Sequence, residues 1–288
     1  MSEAARKLQC TQPAISQHIA RLEKEFQVLL FERSKKGIVL TEQGQFLLQR
    51  IEEALEALDS AKRDLTSWNS SLSGELRIST GGTTVKHLMK ESVKNFQKLY
   101  PTVSLNFHSA PRTESCLNAL KEQSVDLAFV TLRRENLGVE SRPVAQLQWC
   151  LGFPKTDPFF QKKSSILLKD LEGKKIIGLP RTTDSFKYLE EALTRRGVAF
   201  NCKTLVDDWE MASFFAELGL GYAILPAIFT TSNPSIHNIP ILDLEPLSVG
   251  WIARKFKFLN EPAKFFMDLV DQEIRDLSQK LPGFSVLR

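Results

Sequence analysis

The sequence predicts an α/β protein in three parts: a small N-terminal domain of short helices and a hairpin, one long helix, and a larger domain of two lobes. Three observations lead to this prediction. The first forty residues hold two short amphipathic helical patterns and a basic turn, residues 41–68 carry an apolar heptad pattern, and strand and helix patterns alternate from residue 75 onward. With 288 residues, 42% of them hydrophobic, the chain is long enough for two or three domains with their own cores.

Charge and cysteine content narrow the class of protein. The net charge of +4 permits a polyanionic partner without requiring one, but residues 1–40 hold seven bases against four acids. Cys10, Cys116, Cys150 and Cys202 lie far apart, without the spacing of a disulfide framework or a zinc site. The sequence shows neither a secretory-signal pattern nor an apolar run long enough to span a bilayer. We therefore expect a cytoplasmic protein with no metal, no other cofactor and no membrane partner.

The N-terminal pattern predicts two helices joined by a short turn. Ser2 is a suitable N-cap for a helix that runs to about Gln9, and Pro13 suits the first position of the next helix, where its missing N–H needs no partner. A helix-turn-helix of this kind can place its second helix in the major groove of DNA. Apolar residues of the second helix recur at steps of four, three and four, which predicts one buried face: Ile15, Ile19, Leu22 and Phe26.

The opposite face of the second helix carries side chains suited to DNA. Gln17 can form two hydrogen bonds with adenine, Ser16 can donate or accept, and Arg21 suits guanine or a phosphate. Thr11 and Gln12 stand at the start of this helix. Most short amphipathic helix pairs are structural only, so the pattern alone leaves that alternative open.

A basic turn follows the helix pair. Residues 29–40 predict two short apolar strands around this turn, which together form a wing. Arg33, Lys35 and Lys36 would lie where phosphates pass, and such contacts fix the register on DNA without reading its sequence. A solvated turn is the alternative, and the charges alone do not exclude it.

The long helix has the pattern of a coiled coil. Thr41 is a suitable N-cap, and a polar hinge at residues 69–74 ends the segment. Apolar residues that repeat at steps of four and three predict a seam that requires a partner helix from a second chain. A helix packed on its own domain is the alternative. The predicted seam consists of Leu47, Ile51, Ala54, Leu58, Ala61, Leu65 and Trp68.

The remaining two thirds predict two lobes built of parallel strands and helices. A β-α-β-α-β series appears once before residue 131 and again after residue 174, which is typical of parallel sheets covered by helices. The predicted strands are Leu76–Ser79, Val103–Phe107, Val125–Val130, Lys175–Leu179, Lys203–Val206 and Tyr222–Leu225. The predicted helices are Val85–Leu99, Glu114–Lys121, Ser185–Arg195, Trp209–Leu218 and Ala263–Leu277.

Polar residues at the carboxyl ends of these strands are candidates for ligand binding. Ligands of open α/β sheets bind there, where helix N-termini offer free N–H groups. An N-cap with a flexible turn, or ordinary loop polarity, explains the same residues equally well. The chain has no phosphate-binding loop, nucleophile elbow or metal motif, which argues against an enzyme with catalytic residues. The candidates are Thr80, Gly81, Gly82, Thr83, Thr84, Thr131, Arg181, Thr182 and Thr183.

Linked motifs at the N-terminus resemble those of one family. The segments Ser2–Ala5, Thr11–Ser16, Leu30–Arg33 and Leu40–Gly44 strongly resemble the winged helix-turn-helix of LysR-type transcriptional regulators, and the resemblance extends along the chain. It implies DNA contacts from the second helix and the wing, a helix that pairs two subunits, and an effector-binding domain with the fold of periplasmic solute-binding proteins. By this resemblance the DNA-facing positions are Gln12, Pro13, Ser16, Gln17 and Arg21, and the wing positions are Arg33, Lys35 and Lys36.

The resemblance also implies an organisation and a set of partners. We expect a DNA-binding domain over 1–40, a dimerisation helix over 41–68, a hinge over 69–74, and an effector-binding domain over 75–288. Its first lobe would span 75–147 and 251–288 and its second lobe 148–250, with crossings near Leu147–Leu151 and Val249–Ala253. The implied partners are promoter or operator DNA, a small effector with anionic character, and further copies of this chain in a dimer or tetramer. RNA polymerase is a further implied partner.

The sequence departs from the family at its start. Family members usually carry a further helix before this point, which packs across the helix-turn-helix and would cover part of Ile15, Ile19 and Phe26. The alternative function is therefore an effector-binding dimer, or a solute-binding module, that has lost its DNA binding.

Overall fold

The computed structural model describes residues 2–34, 37–68, 74–110, 112–132, 138–199, 201–230, 233–281 and 283–287, with the backbone alone at residues 2, 33, 34, 56, 59, 60, 63–68 and 230. The chain divides into two compact units, Met1–Leu65 and Thr66–Arg288. Lys35 and Lys36 of the predicted wing, and residues 69–73 of the predicted hinge, lie outside the described residues. None of the helices in the described part of the chain combines the length and the apolar run needed to cross a membrane.

The N-terminal unit begins with the predicted pair of helices. Helix α1 (Ser2–Lys7) is followed by α2 (Gln12–Phe26), and the Thr11 side chain caps α2 by accepting a hydrogen bond from the backbone N–H of Ala14. Strands β1 (Phe31–Ser34) and β2 (Gly37–Leu40) then form an antiparallel hairpin, which confirms the predicted strands of the wing.

Glu23 joins the helix pair to the hairpin. Its Oε1 accepts hydrogen bonds from the backbone N–H groups of Leu30 (2.8 Å) and Phe31 (3.1 Å), just where the first strand begins. Leu30 itself is buried. A carboxylate that accepts two backbone donors fixes the path of the chain between α2 and the hairpin.

The predicted buried face of α2 is wrong in its second half. Ile15 and Ile19 are half-buried, but Leu22 is 36% exposed and Phe26 is 50% exposed. The reason is the reach of α1, which has six residues and so covers roughly 9 Å at 1.5 Å per residue, whereas Ile15 to Phe26 extends over roughly 17 Å. The far end of the apolar face is therefore left open to solvent.

Helix α3 (Glu42–Trp68) confirms the predicted long helix. The Thr41 hydroxyl accepts a hydrogen bond from the backbone N–H of Gly44 (3.0 Å) and donates one to the backbone oxygen of Leu29 (2.6 Å), so it caps the helix and ties it to the preceding loop. Within this chain the predicted seam is largely open: Leu47 is half-buried, and Ile51, Ala54, Leu58 and Ala61 are exposed. The side chains of Leu65 and Trp68 lie outside the described set.

The first lobe is built on a six-stranded sheet. Its strands are β3 (Gly74–Thr80), β4 (Val103–Ser109), β5 (Leu127–Thr131), β6 (Glu140–Leu147), β12 (Leu247–Ala253) and β13 (Phe284–Val286), in the order β13-β6-β12-β5-β3-β4. Helices α4 (Gly82–Leu88), α5 (Lys90–Leu99), α6 (Thr113–Lys121) and α9 (Glu261–Lys280) belong to the same lobe. Because β3 runs parallel to both β4 and β5, Thr80 and Thr131 end at the same edge of the sheet.

The second lobe has a five-stranded sheet. Its strands are β7 (Trp149–Pro154), β8 (Ile176–Gly178), β9 (Cys202–Leu205), β10 (Tyr222–Pro226) and β11 (Ile236–Pro240), in the order β11-β7-β10-β8-β9. Helix α7 (Asp184–Arg195) follows β8, and α8 (Trp209–Glu217) follows β9. Because β8 and β9 are parallel, both of these helices begin at the same edge of the second sheet.

Two predictions for the lobes need correction. The chain passes from the first sheet to the second at Gln148, within the first predicted crossing, but Val249–Ala253 is not a crossing, because β12 pairs with β5 and β6 of the first lobe from Leu247 onward. The return therefore lies between Pro240 and Leu247. The single helix predicted over Val85–Leu99 is two helices that break at the buried Met89.

Candidate functional site

The DNA-facing residues predicted on α2 lie along its first three turns. Gln12, Pro13, Gln17 and Arg21 are exposed, and Ser16 is half-buried. These positions are spaced along the first turns of a capped helix, with no other described element covering their exposed side chains. Such a helix start is the part that reads base edges in helix-turn-helix proteins.

The hairpin supplies the other predicted DNA-facing group. Arg33 lies on β1 directly opposite Ile38 of β2, next to the last pair of the hairpin, Ser34 and Gly37. The structure describes the backbone of Arg33, and Lys35 and Lys36 are outside its described ranges. The wing is thus placed by its backbone.

A cavity of about 470 Å³ lies between the two lobes of the larger unit. Its size falls within the range of about 300–1,000 Å³ that is usual for small-molecule sites. The first lobe contributes Gly81, Gly82, Thr83, Thr84, Leu88, Ser109, Ala110, Thr113, Phe129, Val130, Thr131, Leu147, Leu247 and Val249. The second lobe contributes Leu179, Thr183, Asp184, Ser185, Asp207, Asp208, Trp209, Glu210 and Phe229.

The wall formed by the first lobe is neutral and rich in hydroxyl groups. Thr83 and Thr84 stand in the first turn of α4, immediately after the end of β3. Thr131 ends β5 at the same edge of the sheet, and its backbone oxygen accepts a hydrogen bond from the Thr113 hydroxyl (3.3 Å). Parallel strands therefore bring together hydroxyls that are separated by 48 residues in the chain.

The wall formed by the second lobe is acidic. Asp184 lies in the first turn of α7, and the side chain of Asp208 caps α8 by accepting a hydrogen bond from the backbone N–H of Met211 (2.8 Å). Asp207 precedes that cap and is exposed. The helix dipole favours carboxylates at helix N-termini, which suits acidic side chains at this wall.

Glu210 links the two walls. Its Oε1 lies 2.6 Å from Lys86 Nζ and 3.1 Å from His87 Nε2, both on α4 of the first lobe. The hydrogen bond from Lys86 is the main cause that lowers the pKa of Glu210, against a smaller opposing effect of burial. The His87 ring also packs edge-on against Phe229, with ring centres 5.4 Å apart. The lobes are thus joined by a charged contact beside the cavity.

Six of the nine predicted ligand residues line the cavity: Gly81, Gly82, Thr83, Thr84, Thr131 and Thr183. Thr80, Arg181 and Thr182 are not among its lining residues. The Thr80 hydroxyl is buried and donates to the backbone oxygen of Phe129 (2.7 Å), and Arg181 turns toward Glu190 (3.6 Å). Thr183 is buried and caps α7 by accepting from the N–H of Phe186, so its hydroxyl also has a structural role.

The acidic wall is the feature that the sequence reading missed. Asp184, Asp208 and Glu210 occupy the first turns of helices or their N-cap positions, which are ordinary places for acidic residues. The available signal was their position after β8 and β9, at the same sheet edge as Thr183.

Two buried cysteines of the larger unit have thiols with raised pKa values. Burial raises the pKa of the Cys150 thiol to about 12, and burial also raises the pKa of Cys116, against a smaller opposing effect of its hydrogen bond with Ser79. Such thiols are poor nucleophiles near neutral pH. Among the described residues, no group of three or more His, Cys, Asp or Glu side chains is arranged to hold a metal ion.

A helix-turn-helix with a hairpin, followed by a long helix and a two-lobed domain with a cavity between its lobes, defines a class of DNA-binding proteins that carry a small-molecule domain. Residues 69–275 match the family described as LysR substrate binding domain, and residues 1–45 match the bacterial regulatory helix-turn-helix protein family of lysR type. The chain belongs to the LysR family of transcriptional regulators. Since this family consists of regulators, the prediction that the protein is not an enzyme is confirmed.

Known proteins are similar to this chain over most of its length. The HTH-type transcriptional regulator CysL of Bacillus subtilis is 24% identical over 261 residues, which cover 91% of this chain and 86% of CysL. An H2O2-bound variant of Corynebacterium glutamicum OxyR has a TM-score of 0.63 at 20% identity, over 96% of this chain and 88% of OxyR. The effector binding domain of QuiR in complex with shikimate has a TM-score of 0.61 at 18% identity, over 69% of this chain and 96% of that domain. The structural similarities confirm the predicted fold.

Proposed function

We propose that this regulator binds operator DNA through α2 and the hairpin, and that a small molecule bound between its two lobes controls this binding. The observation that carries the proposal is the cavity of about 470 Å³ between the lobes, in a chain whose N-terminal unit has a free recognition-helix face. A ligand changes such an equilibrium only if it binds one arrangement of the lobes better than another. A cavity walled by both lobes meets that condition, because its shape depends on their separation.

The DNA contacts in this proposal divide into two kinds. Gln17 and Arg21 of α2, with Ser16, read base edges in the major groove. Arg33, Lys35 and Lys36 of the wing contact phosphates and set the register. Base contacts make binding sequence-selective, and phosphate contacts make it sensitive to salt.

The proposal includes a homodimer formed through α3. Ile51, Leu58 and other apolar side chains of this helix are exposed within one chain, and a row of apolar heptad positions is stable in water only when another helix covers it. A two-fold dimer also matches paired DNA half-sites. Two further parts of the proposal, association of dimers into a tetramer and contact with RNA polymerase, come from the family resemblance.

We further propose that the effector carries an anionic group that binds the first lobe. Hydroxyl groups of Thr83, Thr84 and Thr131 converge on that wall and can donate hydrogen bonds to a carboxylate. The solved QuiR domain holds shikimate, a carboxylate, in a domain of the same fold. As a DNA-binding regulator, the protein would act in the cytoplasm.

Footprinting on the DNA that flanks the gene tests the DNA-binding part of the proposal. We expect the full-length protein to protect a sequence with two half-sites, and we expect protection to weaken steeply as salt rises. Gln17→Ala should reduce the preference for that sequence over random DNA, whereas Gln49→Ala on α3 should leave the preference unchanged. The absence of sequence-selective, salt-sensitive protection would overturn this part and favour an effector-binding protein without DNA binding.

A further inference from the structure

The two lobes meet in a side-chain contact at the edge of the cavity. Glu210, in the first turn of α8, lies 2.6 Å from Lys86 Nζ and 3.1 Å from His87 Nε2, and both partners belong to the last turn of α4. Glu210 itself lines the cavity, so this contact forms part of the cavity wall. All three groups belong to this chain, and their contact therefore needs no ligand to form.

The second lobe holds His87 from two sides. The His87 side chain is only 8% exposed, and its ring packs edge-on against Phe229 with ring centres 5.4 Å apart. Phe229 lies in the short turn Ala227–Thr230 and is nearly parallel to the ring of Trp209, the residue before Glu210. If the lobes separated, the imidazole would lose both its hydrogen-bond partner and its aromatic neighbour.

The buried histidine decides how strong this contact is. Lys86 is 60% exposed and Glu210 is 39% exposed, and an ion pair with that exposure contributes little by itself. The imidazole adds a hydrogen bond that water reaches poorly, and leaving a buried polar group without a partner is costly. The hydrogen bond from Lys86, together with that of His87, lowers the pKa of Glu210 although partial burial acts in the opposite direction.

The covalent links between the lobes do not fix their separation. The chain crosses once at Gln148 and returns between Pro240 and Leu247, and two crossings of this kind permit hinge motion of rigid lobes. The separation of the lobes therefore depends on side-chain contacts between them, of which the contact of α4 with α8 is one.

We propose that Lys86, His87 and Glu210 form a clasp that holds the two lobes in the closed arrangement before an effector binds. The closed clasp leaves the cavity preformed, so an effector that fits it does not have to bring the lobes together. Weakening the clasp increases the open fraction and lowers the apparent affinity for such an effector in proportion. The consequence for the effector rests on the proposed function, whereas the clasp itself does not depend on it.

Hydrogen exchange of the full-length protein, measured by mass spectrometry without added ligand, tests the clasp. Lys86→Glu places a second negative charge against Glu210, at a side chain exposed enough for the fold to tolerate the change. We expect exchange to become about tenfold faster in peptides from both lobes, Gly82–Leu88 and Ala227–Thr230, because both become accessible when the lobes open. The matched control Lys94→Glu removes a similarly exposed pair with Glu91 inside the first lobe and should leave both peptides unchanged.

A reversal of the charges separates the clasp from a local effect on α4. In the double variant Lys86→Glu/Glu210→Lys the opposite charges face each other again, and a neutral His87 can accept a hydrogen bond from the new lysine. We expect this variant to recover most of the protection in both peptides. Faster exchange confined to Gly82–Leu88, an equal change in Lys94→Glu, or no recovery in the double variant would overturn the inference.

The outcomes distinguish the clasp from the proposed function. Unchanged exchange in Lys86→Glu, in a protein that gives a sequence-selective, salt-sensitive footprint, would refute the clasp and leave the regulator. The expected exchange pattern in a protein that protects no DNA would support the clasp and refute the DNA-binding proposal.

Discussion

Gly44, in the first turn of α3, lies so close to the backbone of Leu30 that no side chain fits there. A Cβ at this position would lie 2.1 Å from the backbone oxygen of Leu30, which is itself fixed between Glu23 and Thr41. Alanine in a helix normally stabilises by about 1 kcal/mol relative to glycine. Here we expect Gly44→Ala to lower the free energy of unfolding of the N-terminal unit by about 1–3 kcal/mol, since the helix start must move away from Leu30.

Thermal and urea unfolding of the full-length protein measure this effect. Gly74→Ala is the matched control, because a Cβ there meets no atom within 4 Å. A Gly44→Ala protein as stable as the Gly74→Ala protein would show that the loop at Leu30 yields easily.

Asp271 on α9 is a carboxyl group whose burial disfavours its charged form. Trp251 Nε1 donates to it at 2.9 Å and Arg142 pairs with it at 2.7 Å, yet burial raises its pKa above the ordinary value, because the loss of water outweighs these partners. A carboxyl group with a higher pKa in the folded state binds more protons when folded. Its contribution to stability is present at low pH and is lost as the pH rises through the folded-state pKa.

We therefore expect Asp271→Asn to remove this loss. The free energy of unfolding of the variant, taken relative to wild type, should increase as the pH rises from about 3 to about 6. Urea unfolding over this pH range measures the difference, with the exposed Asp276→Asn on the same helix as the control. A difference that stays level or decreases with pH would contradict the raised pKa.

The role of a single residue could be predicted where it depends on residues close to it in the chain. Thr41 was identifiable as a cap because a helix start has a local signal, and Thr83 because it follows a strand directly. Arg181 was expected at the ligand, but it pairs with Glu190, within α7. The spacing of residues along the chain does not reveal this contact. The acidic wall depends on two helices that start 25 residues apart, and only the sheet brings them together.

At the scale of elements, α3 exposes apolar side chains that we propose to pack against the same helix of a second chain. Leu58 is 60% exposed on a helix whose apolar positions repeat at steps of four and three. If the seam pairs two chains, Leu58→Asp places two unpaired charges in the interface, and we expect the dissociation constant of the dimer to rise by about 100-fold or more. Gln49→Asp, on the opposite face of the same helix, should leave the dimer intact.

Sedimentation and light scattering over a range of concentrations measure this change. Circular dichroism checks that the variant remains helical. A Leu58→Asp protein that stays as large as wild type would show that the interface lies elsewhere.

Helices and strands were predictable where the sequence pattern is periodic. They were less predictable where packing between distant parts of the chain decides the structure. The six strands predicted for the two lobes and four of their five predicted helices were found within a few residues of their predicted bounds, because alternation and amphipathic spacing are local properties. Strands β6, β7, β11, β12 and β13 were not predicted. The break at Met89 was missed because a buried methionine fits a continuous helix equally well. The position of the second crossing was missed because β12 reads as a strand in either lobe, and only its pairing with β5 and β6 decides between them.

At the scale of the whole molecule, the proposed function requires that binding of the small molecule and binding of DNA depend on the same conformational equilibrium. The contact of Glu210 with Lys86 and His87 joins the lobes beside the cavity, so a ligand there acts on a pair of lobes that already touch. If ligand binding changes the affinity for DNA by a given factor, DNA must change the affinity for the ligand by the same factor. For couplings of this kind the factor is typically about 5 to 150.

Thr83→Val tests that coupling at the threonine wall. The substitution keeps the shape of the side chain and removes its hydroxyl, so a compound whose binding depends on that hydroxyl should lose affinity by about fivefold or more. At a fixed concentration of that compound, its effect on the DNA footprint should shrink accordingly. Thr194→Val, an exposed threonine at the end of α7, is the matched control and should respond to the compound like wild type. Equal responses of Thr83→Val and Thr194→Val would remove Thr83 from the effector site. If a compound changes the footprint but DNA does not change the affinity for that compound, the compound acts outside this equilibrium.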